Sequence, residues 1–184
     1  KKGSLESSFN AIVQEIRVCP ANRQMVEILV SDKELPKLVR FDDNSSRLVD
    51  PYTFLVGETM DGFVTEDLRN IHHLLVAGAT GGGKSVFFKQ VLVGLLKSSK
   101  FLQLYLIDLK RGVEFKPFGA LNNVEIAKDE VSALSTLQSV VAEMERRFKI
   151  LEEKGFNEIH PERDNLDRIV VAIDEASVLF TVGK

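Results

Sequence analysis

Features that would indicate several other classes of protein are scarce in this sequence. Only one of the 184 residues is a cysteine, Cys19, so no disulfide can form within the chain and a reducing, cytoplasmic compartment is expected. The longest apolar run is Ile169–Ile173, far shorter than the roughly 20 residues that cross a bilayer. Positive charge is not in excess, because the formal net charge is −3. Bulk charge therefore does not support a dedicated nucleic-acid-binding domain, although a local basic rim can still bind phosphates.

The chain also has no initiator methionine, no signal peptide and no internal repeat. It begins at Lys1 with Lys-Lys-Gly-Ser, which predicts a fragment or a processed form whose membrane anchor, if one exists, lies outside these residues. With 44% hydrophobic and 28% charged residues, the composition is that of an ordinary globular protein. Its length is sufficient for one substantial core and a small appendage.

The first fifty residues predict a small accessory α+β segment. Apolar residues from Leu5 to Ile16 recur at helical spacing and predict an amphipathic helix over residues 5–17. Residues 24–30 and 37–41 are β-like. The turn-rich run that follows residue 41 indicates a boundary, which we place between residues 1–50 and 51–184.

From residue 51 onward the pattern changes, first to a hairpin and then to alternating strands and helices. Asp61-Gly62 lies between two β-like runs, Phe54–Gly57 and Phe63–Thr65, and predicts a hairpin with a longer loop. Further along, the sequence predicts strands at His73–Ala77, Leu102–Ile107 and Ile169–Ile173, and helices at Lys84–Leu96 and Val131–Leu151. Continuous apolar strands between helices indicate a parallel sheet that is covered by helices on both faces, so the expected class is α/β.

A phosphate-binding loop is the strongest motif in the chain. The eight residues that match G-x-x-x-x-G-K-[ST] are Gly78, Ala79, Thr80, Gly81, Gly82, Gly83, Lys84 and Ser85. Glycines allow the backbone to wrap a phosphate closely, and the helix that follows adds its positive N-terminal end. Lys84 is expected to reach the β- and γ-phosphates and the Ser85 hydroxyl to ligate magnesium. The predicted ligand is a nucleoside triphosphate, most simply ATP with Mg²⁺.

Two acids end the last predicted strand. In a phosphate-loop enzyme, an aspartate in the place of Asp174 supports the magnesium ion through its water shell, and a glutamate in the place of Glu175 polarises the attacking water as general base. This pair favours hydrolysis over phosphoryl transfer to a small acceptor. Glu175 and Lys84 are the predicted catalytic residues, and Ser85 and Asp174 are the predicted metal-binding residues.

With these motifs in place, residues 51–184 resemble the FtsK/SpoIIIE family of DNA-pumping ATPases. The patches that carry the resemblance, in chain order, are Phe54–Gly62, His72–Val86, Ile107–Lys110, Glu143–Phe148, Asp174–Ala176 and Thr181–Lys184. The resemblance implies a P-loop, RecA-like motor domain that assembles as a ring, usually a hexamer, hydrolyses ATP between subunits and moves double-stranded DNA through the centre.

Departures from the family pattern accompany this resemblance. Leu109 replaces a proline, and Ala176-Ser177 stands where the family often has Phe-Ala-Asp, which suggests a mobile-element or conjugation branch. The family continues past residue 184, so we expect the motor domain to be incomplete at its C-terminus. Asp108 and Lys110 lie at a strand end, where ligands bind in open α/β sheets, and either serve the site or form a solvated turn. For Arg146 and Arg147, a solvated helix face is favoured over contact with a neighbouring subunit.

Three functions remain open on the sequence alone. The leading hypothesis is an ATP-driven translocase of double-stranded DNA. The second is a protein-secretion ATPase of the same motor family, which suits the acidic composition. The third is a nucleotide-binding switch that does not pump.

Overall fold

The computed structural model describes residues 2–32, 34 and 36–180, and its contacts divide the chain into two compact units. The first unit comprises Lys1–Ala79 and Phe87–Ser98, and the second comprises Thr80–Val86 and Ser99–Lys184. The predicted boundary at residue 50 stays a prediction about domain organisation. The resemblance noted at Thr181–Lys184 lies outside the described residues. No helix in the described ranges is long and apolar enough to cross a bilayer.

An N-terminal helix and hairpin replace the single helix that was predicted over residues 5–17. Helix α1 (Lys2–Phe9) ends at Asn10, whose φ of 50° lies in the left-handed region. Strand β1 (Ile12–Val18) then pairs antiparallel with β2 (Val26–Ser31). The helix prediction was wrong beyond residue 9 because β-branched residues favour strands and because β2, distant in sequence, supplies backbone partners that a local pattern cannot reveal. The β-like stretch predicted at residues 24–30 is confirmed as β2.

The segment between the two hairpins is irregular apart from one short helix. No strand forms at Lys37–Phe41 within the described residues, so that prediction was wrong, and Leu38 there is 68% exposed. A strand persists only where its backbone groups find a partner, and no described strand pairs with this segment. Helix α2 (Asp43–Ser46) follows, and its first turn is closed by a capping box between Asp42 and Ser45.

The predicted hairpin at Asp61-Gly62 is confirmed, with a shorter loop than expected. Strands β3 (Thr53–Thr59) and β4 (Gly62–Asp67) pair antiparallel, and Thr59 lies opposite Gly62, so only two residues form the turn. Gly62 has a φ of 116°, a conformation that L side chains rarely adopt.

Helix α3 (Lys84–Ser98) is one of the confirmed helices, and its residues from Phe87 onward belong to the first unit. The Phe87 ring contacts the Phe54 ring edge-to-face, with centroids 6.4 Å apart. The Gln90 side-chain amide donates a hydrogen bond of 2.8 Å to the backbone carbonyl of Leu55. This part of α3 therefore packs on β3, where the buried Phe54 and Leu55 form the core of the first unit with Leu92 and Leu95.

A three-stranded parallel sheet forms the centre of the second unit. Strand β5 (Leu102–Asp108) lies in the middle, with β6 (Val124–Ala127) on one side and β7 (Arg168–Asp174) on the other. The predicted strands at residues 102–107 and 169–173 are confirmed, as is the α/β class with a parallel sheet. The four-residue β6 was not predicted, because so short a segment carries too little periodicity to be recognised.

The strand predicted at His73–Ala77 does not form in the described structure. These residues are irregular, and Leu75 is 87% exposed. An apolar run becomes a strand only when another strand supplies hydrogen-bond partners, and within the described residues none pairs with this one. The prediction was therefore wrong for a non-local reason.

Helix α4 (Glu130–Lys154) confirms the long predicted helix and packs against the sheet. Asp129 caps its N-terminus through a capping box with Ser132, and Gly155 ends it in a left-handed conformation. Ala133 on this helix packs with the buried Ile107 and Ala127 of the two neighbouring strands. The short helix α5 (Pro161–Asp164) then precedes β7.

The Glu143 carboxylate organises the middle of α4. It accepts hydrogen bonds from the guanidinium groups of Arg146 and Arg147, both at 2.6 Å from Nε. Arg147 also donates to the backbone carbonyl of Asp167, just before β7, at 2.7 Å. Arg147 is only 17% exposed, so the expectation of a solvated face holds for the half-exposed Arg146 and not for Arg147, which ties α4 to the sheet.

Replacement of Glu143 by glutamine tests this arrangement. The hydrogen bond from Arg146 is the main cause that lowers the pKa of Glu143 from 4.5 to about 2. Partial burial opposes this shift, and Arg147 adds to it. A lowered pKa stabilises the fold above pH 4.5, and this stabilisation is lost as the pH falls towards 2. We expect Glu143→Gln to reduce the free energy of unfolding at pH 7 by about 1 kcal/mol, after allowance for solvent screening.

Urea unfolding of the wild-type and Glu143→Gln proteins at pH 7 and pH 3 measures the change in the free energy of unfolding. The matched control is Glu145→Gln, two positions along on the exposed side of the same helix. An equal loss at both pH values, or an equal loss in the control, would contradict the assignment.

Candidate functional site

The loop that precedes α3 adopts a conformation that requires glycine at two positions. Gly81 and Gly83 have φ values of 79° and 88°. A Cβ atom built on either glycine would meet no atom within 4 Å. The restriction is therefore one of backbone conformation and not of crowding, and the space beside the loop is open to a ligand.

The eight predicted loop residues are divided between the two units. Thr80, Gly81, Gly82, Gly83, Lys84 and Ser85 belong to the second unit, while Gly78 and Ala79 belong to the first. Residues 78–83 are exposed, and Lys84 and Ser85 are half-buried in the first turn of α3. The backbone N–H groups of this first turn have no partner within the helix, which makes the turn suited to an anion.

The carboxyl ends of β5 and β7 bring two aspartates side by side. The two strands are parallel and in register, and Asp108 is the partner of Asp174 in the last pair of the ladder. Asp108 is fully buried and Asp174 is 8% exposed. Burial raises the pKa of Asp174, and the negative charge of Asp108 raises it further. Two buried carboxylates in this position favour a nearby cation.

Positive charge from the loop acts on this strand edge. Lys84 opposes the rise in the pKa of Asp174 and contributes to the lowered pKa of Glu175. The structure therefore brings the predicted Lys84, Asp174 and Glu175 into one electrostatic cluster within the second unit. Ser85 follows Lys84 directly on α3.

Asp108 has a second task, which is to shape the loop after β5. Its two carboxylate oxygens accept hydrogen bonds from the backbone N–H groups of Lys110, at 2.9 Å, and Glu114, at 2.8 Å. Its backbone carbonyl accepts from Gly112, whose φ is 74°. A Cβ atom on Gly112 would lie 2.9 Å from Cγ of Lys128. The loop is therefore closely fitted on both sides.

Lys110 in this loop forms an ion pair with Glu175. The distance from Nζ of Lys110 to Oε1 of Glu175 is 2.8 Å. The hydrogen bond from Lys110 is the main reason that the pKa of Glu175 is lowered, and Glu175 likewise raises the pKa of Lys110. Sequence reasoning placed both residues at strand ends without pairing them. The sequence alone could not pair them, because Lys110 and Glu175 follow Asp108 and Asp174 by two residues and one residue, and only the strand register aligns those two aspartates.

Comparison with known proteins identifies the family. The family model described as the FtsK/SpoIIIE family matches residues 40–184. The chain belongs to the FtsK/SpoIIIE family. The expected resemblance is thereby confirmed. The match begins at residue 40, eleven residues before residue 51, where the range that carries the motifs begins.

Named relatives in the FtsK/SpoIIIE family are DNA translocases. The DNA translocase FtsK of Campylobacter jejuni subsp. jejuni (strain 81-176) is 38% identical over 149 residues, which cover 73% of this chain and 16% of that protein. The DNA translocase SftA of Bacillus subtilis (strain 168) is 35% identical over 147 residues, covering 72% of this chain and 15% of that protein. The chain spans about a sixth of the length of these relatives.

A solved structure extends the FtsK/SpoIIIE likeness to three dimensions. The conjugation coupling protein TcpA of pCW3, in a monomer form with ATPgS, matches with a TM-score of 0.74 and 29% sequence identity. The match covers 100% of this chain and 52% of that one. It confirms the expected P-loop, RecA-like α/β fold and agrees with the expected conjugation branch.

Replacement of Asp174 by asparagine tests the electrostatics of the strand edge. Because its pKa is raised, Asp174 binds its proton more tightly in the folded than in the unfolded chain. Its ionisation therefore costs stability as the pH rises from the ordinary aspartate value through the raised one. We expect Asp174→Asn to increase Tm at pH 7 by about 2–4 °C, which corresponds to about 1 kcal/mol in a protein of this size.

Thermal unfolding followed by circular dichroism at pH 7 and pH 3.5 measures the change, and the gain should shrink at the lower pH. Asp61→Asn, an exposed position in the turn between β3 and β4, is the matched control. A lower Tm at pH 7 would contradict the cost assigned to the buried charge.

Proposed function

We propose that the chain is part of an ATP-hydrolysing motor subunit that binds and moves double-stranded DNA. The observation that carries the proposal is the clustering of Lys84 with Asp174 and Glu175, which are the residue types that a phosphate-loop ATPase needs at its reacting phosphate. Family membership and the named DNA translocases support the same activity. ATPgS accompanies TcpA, which supports ATP as the ligand of this chain.

The loop and α3 are suited to hold the triphosphate. Gly78–Ser85 would wrap the phosphates with backbone N–H groups, and the open space beside Gly81 and Gly83 leaves room for them. Lys84 would neutralise the terminal phosphates as a point charge. Triphosphate binding by this loop does not depend on whether the motor moves DNA or protein, so it is common to motors of this class.

A magnesium ion fits the donors at the strand edge. Ser85 offers a hydroxyl oxygen, and Asp174 offers a carboxylate whose pKa is raised by burial and, further, by the negative charge of Asp108. When bound, Mg²⁺ supplies charge neutralisation for the phosphate oxygens. Ser85 and Asp174 are accordingly proposed as its protein ligands, Asp174 through water.

Glu175 is proposed as the general base. Its carboxylate is one-third exposed, at 33%, and its lowered pKa keeps it ionised at neutral pH. An ionised carboxylate accepts a proton from water, which is the role that hydrolysis requires. Asp108 is not proposed for this role, because both of its oxygens accept backbone hydrogen bonds.

The named DNA translocases support DNA as the polymer that is moved, and assembly into a ring is proposed from the resemblance to the family. The net charge of −3 implies that DNA would be gripped locally and not by the whole surface. A homo-oligomeric ring, most simply a hexamer, would place the DNA in its centre. Conjugation, in which DNA leaves the cell, is the setting that TcpA suggests.

ATPase measurements on the full-length protein, with and without duplex DNA, test the proposal. We expect duplex DNA to stimulate turnover and DNA binding to weaken steeply as salt rises, because counterions are released from the phosphates. Lys84→Ala should lower kcat at least about 100-fold, because a charge that stabilises the reacting phosphate is removed.

Lys149→Ala, an exposed lysine on α4, is the matched control and should retain full activity. Turnover that ignores DNA but responds to a substrate peptide would support a secretion motor instead. Tight ATP binding with negligible turnover in the assembled protein would support a switch. Activity that survives in Lys84→Ala would exclude the site itself.

A further inference from the structure

The ion pair between Lys110 and Glu175 joins a residue to which the phosphate-loop motifs give no role to one to which they give a role. The motifs give roles to Lys84, Ser85, Asp174 and Glu175, but none to Lys110. The ammonium of Lys110 nevertheless lies 2.8 Å from the carboxylate that would act as base. The side chains of Lys110 and Glu175 are 58% and 33% exposed, so solvent screens the ion pair and the pair contributes little to folding stability. Orientation of Glu175 is the effect that remains.

Glu175 needs such a contact because the backbone there does not follow the strand. It has a φ of 55°, in the left-handed region that non-glycine residues rarely occupy. It immediately follows β7 and begins a turn in which its carbonyl accepts a hydrogen bond from Val178. The side chain thus leaves the sheet at a point where no ladder fixes it. Among the ion pairs of the described residues, Glu175 takes part in one, the pair with Lys110.

The backbone of Lys110, by contrast, is held in the turn that follows β5. Both carboxylate oxygens of the buried Asp108 are used by the loop, one of them by the N–H of Lys110 itself. Register between β5 and β7 places Asp108 opposite Asp174. The backbone of Lys110 is therefore held at the buried end of β5, close to the residue that follows β7.

We propose that Lys110 is a positioning residue for the hydrolysis reaction: its backbone is held by Asp108, and its ammonium holds the Glu175 carboxylate in the orientation in which it accepts a proton from water. This inference rests on the proposed function, since it assumes that Glu175 acts as the base. Lys110 does not touch the nucleotide in this role. Its loss should therefore lower kcat and leave the KM for ATP unchanged.

Steady-state ATPase kinetics of the full-length protein with Lys110→Met test this inference. Methionine keeps the length of the side chain and removes the ammonium. We expect kcat to fall on the order of 10- to 100-fold, because misorientation of a catalytic group costs rates of this size. The KM for ATP should stay within about two-fold, because the residues that bind the phosphates are untouched. Lys110→Arg, which keeps the charge, should recover most of the lost rate.

A double mutant separates positioning from a general structural effect. In the Glu175→Gln background there is no base left to orient, so Lys110→Met should cause no further loss. Lys116→Ala, an exposed lysine in the same connection, is the matched control and should behave as wild type. The Tm of Lys110→Met should match that of wild type, and Lys110→Ala serves if the methionine variant does not fold.

The outcomes distinguish this inference from the proposal on which it rests. If wild type hydrolyses ATP and Glu175→Gln retains only a low residual rate, but Lys110→Met retains full kcat, Lys110 has no positioning role and the proposed function stands. An increase in kcat would overturn the inference in the opposite sense, because the pair would then restrain the base. If wild type itself does not hydrolyse ATP, the proposed function fails first. Additive losses in the double mutant would also reject positioning.

Discussion

The parallel register between β5 and β7 is the constraint on which the candidate site depends. Because the two strands are in step from Leu102 and Arg168 to Asp108 and Asp174, their last residues meet at one edge of the sheet. The positions of the residues that follow the two strands depend on this alignment. A shift of one residue would move every side chain of β7 to the other face and would separate the acids. The apolar residues that bury β5 thus also determine where the charges lie.

The two aspartates at this edge are chemically alike but have different surroundings. Asp108 is fully buried, and its oxygens are occupied by backbone N–H groups. Asp174 keeps a small exposed fraction, 8%, and a pKa raised by burial and by its neighbour. One carboxylate shapes a loop, and the other is left to favour a cation. Identical residue types thus acquire different tasks from their hydrogen-bond partners, burial and neighbouring charge.

Much of the second unit could be predicted from the sequence, because its elements are long and strongly periodic. Helix α4 and strands β5 and β7 were predictable for this reason, and the glycine loop was recognisable because Gly81 and Gly83 need conformations that other residues resist. The acids at the end of β7 followed from the position of the strand. These are all properties that a local stretch of sequence carries.

The errors have a common physical cause, which is dependence on partners that are distant in sequence. Residues 12–17 carry a helical pattern but belong to β1, which pairs with β2, and residues 73–77 carry a strand pattern but find no described partner. The pairing of Lys110 with Glu175 is of the same kind, since 65 positions separate two residues that lie 2.8 Å apart. Local periodicity cannot report a contact that only register creates.

Gly112 carries a consequence for how this part of the molecule can diverge. A side chain there would be strained by the left-handed backbone, and its Cβ atom would lie 2.9 Å from Cγ of Lys128, so the Lys128 side chain would have to move. Substitution at this position is therefore disfavoured mainly by the backbone conformation. Related sequences that have kept the loop should retain a glycine there, while the exposed Val113 beside it is free to vary. A glycine outside the phosphate-loop motif thus indicates whether the loop after β5 has kept its conformation.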